Sequence, residues 1–149
     1  MADREVRAIS AAETRPLRQT ILRPGQTLEQ LIYRGDDDAD TLHAGAFHNG
    51  TLVGIASVAR GPCPRADLPA PWQLRGMATA PEVRGLGYGR ALIMACLSHV
   101  AAHGGLTLWC NGRTSAAGFY TALGFTALGE EFVTDTGPHY VFYRPIAGR

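Results

Sequence analysis

No lysine occurs anywhere in the 149 residues, so all 14 basic side chains are arginine. We read this as a coding bias of the source, not a functional signal. The basic residues and 13 acidic ones leave a formal charge of +1, with no basic block able to neutralise a row of phosphates, which argues against a nucleic-acid partner. No apolar run approaches the roughly 20 residues of a membrane span, and Met1 to Ser10 is charged and lacks the apolar stretch of a secretory leader. The cytoplasm, away from membranes, is the expected compartment. Cysteine is scarce as well: Cys63, Cys96 and Cys110 are an odd set without CxxC spacing, implying neither a disulfide framework nor a zinc site. We expect reduced thiols and no metal. Internal repeats and low-complexity stretches are also missing.

What is present fits an ordinary globular chain, 46% hydrophobic and 18% charged, of a length that suits one domain spanning 1–149. Whether it acts as a monomer or a homodimer stays open. Glu5 to Ser10 reads as a strand. Ala11 to Tyr33 reads as two short helices parted at Pro24-Gly25, where proline cannot donate and glycine accepts left-handed dihedrals. Thr41 to Phe47 and Thr51 to Ala59 are strand-like runs around Asn49-Gly50, a hairpin signal. Four prolines make Gly61 to Pro71 a loop, leading to a strand from Trp72 to Thr79. Leu92, Ile93, Cys96, Leu97 and Val100 repeat at helical spacing within Gly87 to His103. A strand from Leu106 to Cys110, a helix from Ser115 to Leu123 closed by Gly124, and strands Phe125 to Val133 and His139 to Pro145 complete the order. These alternating units predict an α/β fold with helices packed on a mixed sheet, and parallel pairing of the strands that flank the long helix.

Arg84-Gly85-Leu86-Gly87-Tyr88-Gly89 falls between a strand and the start of the longest helix. Glycines there let the backbone approach an anion while amide N–H groups and the positive end of the helix dipole point at it. The dinucleotide fingerprint GxGxxG fails, since Arg90 or Leu92 stands where its third glycine belongs, and no GK[ST] follows. The glycines alone fit a plain connecting turn equally well. However, the run from Leu74 to Ile93 resembles motif A of the Gcn5-related N-acetyltransferase (GNAT) superfamily, its Arg/Gln-x-x-Gly-x-Gly/Ala signature falling on Arg84, Gly87 and Gly89. Further on, Phe119-Tyr-Thr-Ala-Leu-Gly-Phe125 resembles that superfamily's motif B.

The resemblance implies a mixed, mainly antiparallel sheet of six to seven strands, its central parallel pair splayed apart to receive an acyl-CoA, flanked by about four helices. By the same resemblance the backbone of Met77, Ala78 and Thr79 holds the pantetheine and the acyl carbonyl. Arg84, Gly85, Leu86, Gly87, Tyr88, Gly89 and Arg90 hold the pyrophosphate. Gly76 is consistent with a bulge in that strand. Tyr120 matches a tyrosine that protonates the departing thiolate, for which a phenol has suitable basicity; packing of the helix is the competing role. Asn111 either bonds the pantetheine or pyrophosphate or simply ends its strand. Motif B's frequent asparagine is replaced by Arg113, leaving Thr114 or Ser115 as the cap.

The implied activity is transfer of acetyl from acetyl-CoA to a primary amine of a small molecule or peptide, by direct attack in a ternary complex. A non-catalytic acyl-CoA sensor or subunit is the alternative. Spacing does not choose a general base among Glu82, Glu130, Glu131, Asp135, His139, Tyr140 and Tyr143, and water is a further candidate. For the acceptor, Asp36, Asp37, Asp38 and Asp40 suggest a cationic amine or a solvated turn, whereas Arg15, Arg18 and Arg23 suggest an acidic acceptor or a solvated helix face.

Overall fold

The structure, a computed structural model, describes residues 3–146. In chain order these form strand β1 (Arg4–Ala8), helix α1 (Ala11–Leu17), strands β2 (Leu42–His48), β3 (Thr51–Arg60) and β4 (Pro71–Thr79), helix α2 (Tyr88–Ala102), strand β5 (Thr107–Arg113), helix α3 (Ala117–Ala122), and strands β6 (Thr126–Thr134) and β7 (Gly137–Pro145). All seven strands join one sheet in the order β1-β2-β3-β4-β5-β7-β6. Every neighbouring pair is antiparallel except β4 with β5.

The β2–β3 hairpin turns at Asn49-Gly50, both left-handed at φ 50° and 83°, which places His48 opposite Thr51. Strands β2 and β3 are buried on both faces because α1 and α2 cover opposite sides. Ser57 of β3 meets the α1 side, whereas Ala56 and Val58 pack in one apolar cluster with Leu92, Ile93 and Val100 of α2. Burying each such side chain contributes about 1.5–3 kcal/mol, so the apolar stripe of α2 fixes where the helix lies and hence where its first turn points.

The segment after α1 departs from two helices. Ser10 and Glu13 close α1 with a reciprocal capping box, and the chain runs on into one π-helical turn, Arg18–Leu22. The expected second helix is a single 3-10 turn, Glu29–Leu31. Its apolar residues do not share a face: Leu31 is buried, while Leu28 and Ile32 are exposed. Asn111, moreover, does not end its strand, because β7 pairs along β5 as far as Arg113↔His139.

Strands β4 and β5 pair through only Pro71↔Thr107, Trp72↔Leu108 and Gln73↔Trp109, then part. On the other side of β4 the register with β3 jumps between Ile55↔Ala78 and Ser57↔Arg75, so Gly76 and Met77 both stand opposite Ala56. This is a bulge, and it bends the strand away from β5 at the start of the gap. Gly76 is left-handed at φ 62°, and a Cβ there would meet Arg18 Nε at 3.0 Å and the Tyr33 ring at 3.2 Å. Both conformation and space therefore demand glycine.

Candidate active site

The gap between β4 and β5 opens into a cavity of about 800 Å³ that reaches from the head of α2 to the β6–β7 turn. Its wall includes Met77, Ala78 and Thr79 of β4, then Arg84, Gly85, Gly87, Tyr88, Gly89 and Arg90 of the turn, with Asn111 and Tyr120 on the β5 side. Among the site residues read from the sequence, Leu86 alone does not line it. The Leu86 side chain is exposed, its N–H donates to the Val83 carbonyl and its own carbonyl accepts from Arg4.

The turn's geometry follows from its glycines. Gly85 and Gly87 are left-handed at φ 80° and 91°, which reverses the chain and sets the first residues of α2 across the mouth of the gap. Among the described residues, the backbone N–H groups of Gly85, Gly87, Tyr88, Gly89 and Arg90 donate to no protein acceptor, the first bond of the helix being Ala91 N–H to the Gly87 carbonyl. Unpaired amides, the positive end of a 15-residue helix and the guanidiniums of Arg84 and Arg90 thus gather at one place. The Tyr88 side chain faces inward, bonded to His48 Nδ1 at 2.7 Å, so this residue offers the cavity only its backbone. Gly89 leaves room for Met77 and Phe119, whose atoms lie 3.2 Å from where its Cβ would be.

Along β4, the edge facing β5 has no strand partner from Leu74 to Thr79. Asn111 stands across from it, exposed to the cavity and without a side-chain hydrogen bond among the described residues. Tyr120 is buried on α3 and stacked on Phe142, with centroids 4.7 Å apart. Burial pushes its phenol well above the ordinary range, reinforced by the neighbouring Cys110 thiol. It therefore keeps its proton at any physiological pH. Burial also pushes Cys110, which lines the cavity, and Cys96 up to about 12, leaving both as protonated, weakly nucleophilic thiols. Neither Thr114 nor Ser115 caps α3; Thr114 Oγ1 donates instead to Glu131 at 2.7 Å.

Of the seven base candidates, the structure brings only His139 to the cavity wall. Its Nδ1 lies 2.8 Å from the Gly137 carbonyl, which can only accept, so the neutral ring carries its proton on Nδ1 and leaves the lone pair on Nε2. Asp135 is instead ion-paired with Arg23 at 2.7 Å.

Sequence reasoning missed the support behind the bulge. Arg18, fully buried, donates to Asp36 through two nitrogens at 2.8 and 3.1 Å, to the Leu31 carbonyl and to Ser57 Oγ, while His43 bridges Ser57 Oγ and the Asp36 carbonyl. Asp36 is therefore no solvated turn residue. Asp40 is taken up by Arg60. The Arg18 guanidinium stacks on one side of Tyr33, whose ring also carries Arg75 at 4.2 Å. A hint was available: Arg75 is the one charged residue in its strand.

Residues 7–125 match the family described as the Acetyltransferase (GNAT) family. A Bacillus subtilis (strain 168) protein described as the uncharacterized N-acetyltransferase YitI is 37% identical over 143 residues, covering 95% of this chain and 96% of its own. The crystal structure of the ribosomal-protein-S18-alanine N-acetyltransferase from Escherichia coli agrees at a TM-score of 0.76 and 17% identity, over 99% of this chain and 96% of that one. An aminoglycoside 6'-N-acetyltransferase complexed with coenzyme A agrees at 0.76 and 14% identity, over 97% and 98%. At such identities the two structures establish the fold.

Proposed function

This chain belongs to the GNAT family of acetyltransferases and is an N-acetyltransferase using acyl-CoA, and from that premise we propose that it moves acetyl from acetyl-CoA directly onto a primary amine of a small molecule or peptide. The observation that carries this reading is the set of unpaired amides at the head of α2, opening onto the gap between β4 and β5. In it the turn from Arg84 to Arg90 holds the pyrophosphate. Leu86 shapes that turn from outside. The free edge of Met77, Ala78 and Thr79 holds the pantetheine and, through a backbone N–H, the thioester oxygen, with Asn111 bonding the donor from the facing strand. Amide N–H groups aimed at a developing oxyanion can supply several kcal/mol of transition-state stabilisation.

The acceptor amine attacks the thioester carbon with both substrates bound. A ternary complex suits this cavity because the one thiol in its wall, Cys110, is held protonated and cannot readily form an acyl-enzyme. His139 Nε2, directly or through one water, takes the proton that the nitrogen sheds. Tyr120 gives its proton to the sulfur as the carbon–sulfur bond breaks, yielding the amide and free CoA thiol; burial makes it a weaker acid than a free phenol but keeps it protonated and ready to donate. No step calls for a metal. The whole chain, 1–149, acts as one acyltransferase domain, and its three free, buried cysteines suit the reducing cytoplasm.

A thiol-release assay with acetyl-CoA against amino acids, peptides, polyamines and aminoglycosides tests the reading. Turnover with at least one amine is expected. Calorimetry that finds no binding of acetyl-CoA or CoA would remove its basis.

A further inference from the structure

The acceptor end of the cavity carries a charge asymmetry. Arg23, Arg75, Arg84, Arg90 and Arg113 line the cavity, and among the described residues no aspartate or glutamate does. Arg84 and Arg90 belong to the turn, where a phosphate-bearing donor uses them. Arg75 lies elsewhere. It precedes the bulge by one residue and stands four residues before Thr79, about 13 Å along the strand at 3.3 Å per residue, on the side away from the turn. Arg23, at the same end, is already neutralised by Asp135. That ion pair also ties the segment after α1 to the β6–β7 turn, joining the two walls there and favouring a small acceptor.

Arg75 is different. Half-buried, its side chain makes no hydrogen bond and no ion pair among the described residues. It is held by the Tyr33 ring, which Arg18 in turn holds from its fixed place against Asp36. Burial draws its pKa down, the mark of a cation removed from water without full compensation. Of the four aspartates that could have drawn a polycation, Asp36 and Asp40 face Arg18 and Arg60, and Asp37 and Asp38 are exposed and do not line the cavity.

We infer that Arg75 is a specificity determinant and that the acceptor is a small amine carrying an anionic oxygen group, a carboxylate or a phosphate, not a polycation. This rests on the donor and turnover reading above. A guanidinium presents a planar pair of N–H donors suited to either group, and bonds of this charge-assisted kind are the strong ones.

The test uses the whole protein and matched pairs: glycine against glycinamide, β-alanine against its amide, O-phosphoethanolamine against ethanolamine, with spermidine as the polycation. Thiol release is followed, together with the melting temperature of the CoA-loaded protein. At least one anionic amine should turn over and stabilise the complex more than its uncharged partner, and the carboxylate and phosphate arms separate the two groups. In Arg75→Gln, KM for that amine should rise about tenfold or more, a loss confined to the acceptor because KM for acetyl-CoA holds. Preference for spermidine or the amides, an unchanged acceptor KM in Arg75→Gln, or no stabilisation by any anionic amine while CoA still binds would each overturn the inference. Failure of CoA itself to bind would instead overturn the donor reading on which it rests.

Discussion

The Tyr120 ring closes on Gly112 so tightly that a Cβ on Gly112 would sit 2.6 Å from Tyr120 Cε2 and 2.7 Å from the Phe142 ring. A hydrogen at residue 112 thus fixes where the phenol can be. Gly112→Ala should push the ring from its place and lower kcat about a hundredfold, the scale expected for a displacement near 1 Å at a reacting centre. Steady-state kinetics beside a calorimetric Kd for CoA would check it, and an unchanged kcat would show that Tyr120 need not be held there.

Tyr120→Phe keeps the stack on Phe142 and removes only the hydroxyl. Loss of a general acid predicts a fall in kcat of about 10² or more with CoA affinity retained. Single-turnover rates at saturating substrates measure this, and wild-type chemistry would reduce Tyr120 to packing.

His139→Gln removes the Nε2 lone pair while keeping a side chain able to bond the Gly137 carbonyl. The expected outcome is a lower kcat, with KM for acetyl-CoA little altered. An unchanged kcat at saturating substrates would assign proton removal to water alone.

At Gly87 the backbone is left-handed and Arg4 Nη1 lies 3.3 Å from where a Cβ would be. Gly87→Val should therefore distort the turn and abolish stabilisation by acetyl-CoA, about 2.7 kcal/mol at a hundred times Kd. Thermal melts with and without ligand decide it, and a full shift would place the anion elsewhere.

Breaking the Arg18–Asp36 pair from one side leaves a buried, unmatched charge, so Asp36→Ala should cost about 3–5 kcal/mol in urea unfolding. Burial works to raise the Asp36 pKa, but the Arg18 bond, the Tyr33 N–H and the charges of Arg18 and His43 outweigh it and hold the carboxyl below its usual range. Its folded value thus lies below its unfolded value of about 3.9, so this contribution is whole above that pH and is lost as pH falls through the folded value. Asp36→Asn should accordingly flatten the acid side of the stability curve.

How legible was this in the chain itself? The turn, the long helix and the bulge were, because they rest on local signals: left-handed glycines at Gly85 and Gly87, a helix stripe from Leu92 to Val100, and the bulge glycine Gly76. The mixed sheet, read as six to seven strands with a parted parallel pair, and the family itself were read correctly. The segment after α1 was not. Its apolar spacing suggested a second helix, yet what orders it is a contact between Arg18 and Asp36, 18 positions apart and indistinguishable in sequence from surface charges. The same distance effect hid Arg75. Its meaning depends on Tyr33, fixed in turn by Arg18, and no local pattern links the three.

The first strand contributes nothing to the cavity wall, yet Arg4 reaches from it to the back of the turn, stacking over the Tyr88 ring at 4.3 Å and donating to the Leu86 carbonyl. It works as a splint on the outside of that turn. A shortened chain beginning at residue 7, where the family match begins, would retain every residue of the cavity wall and still hold its coenzyme more loosely.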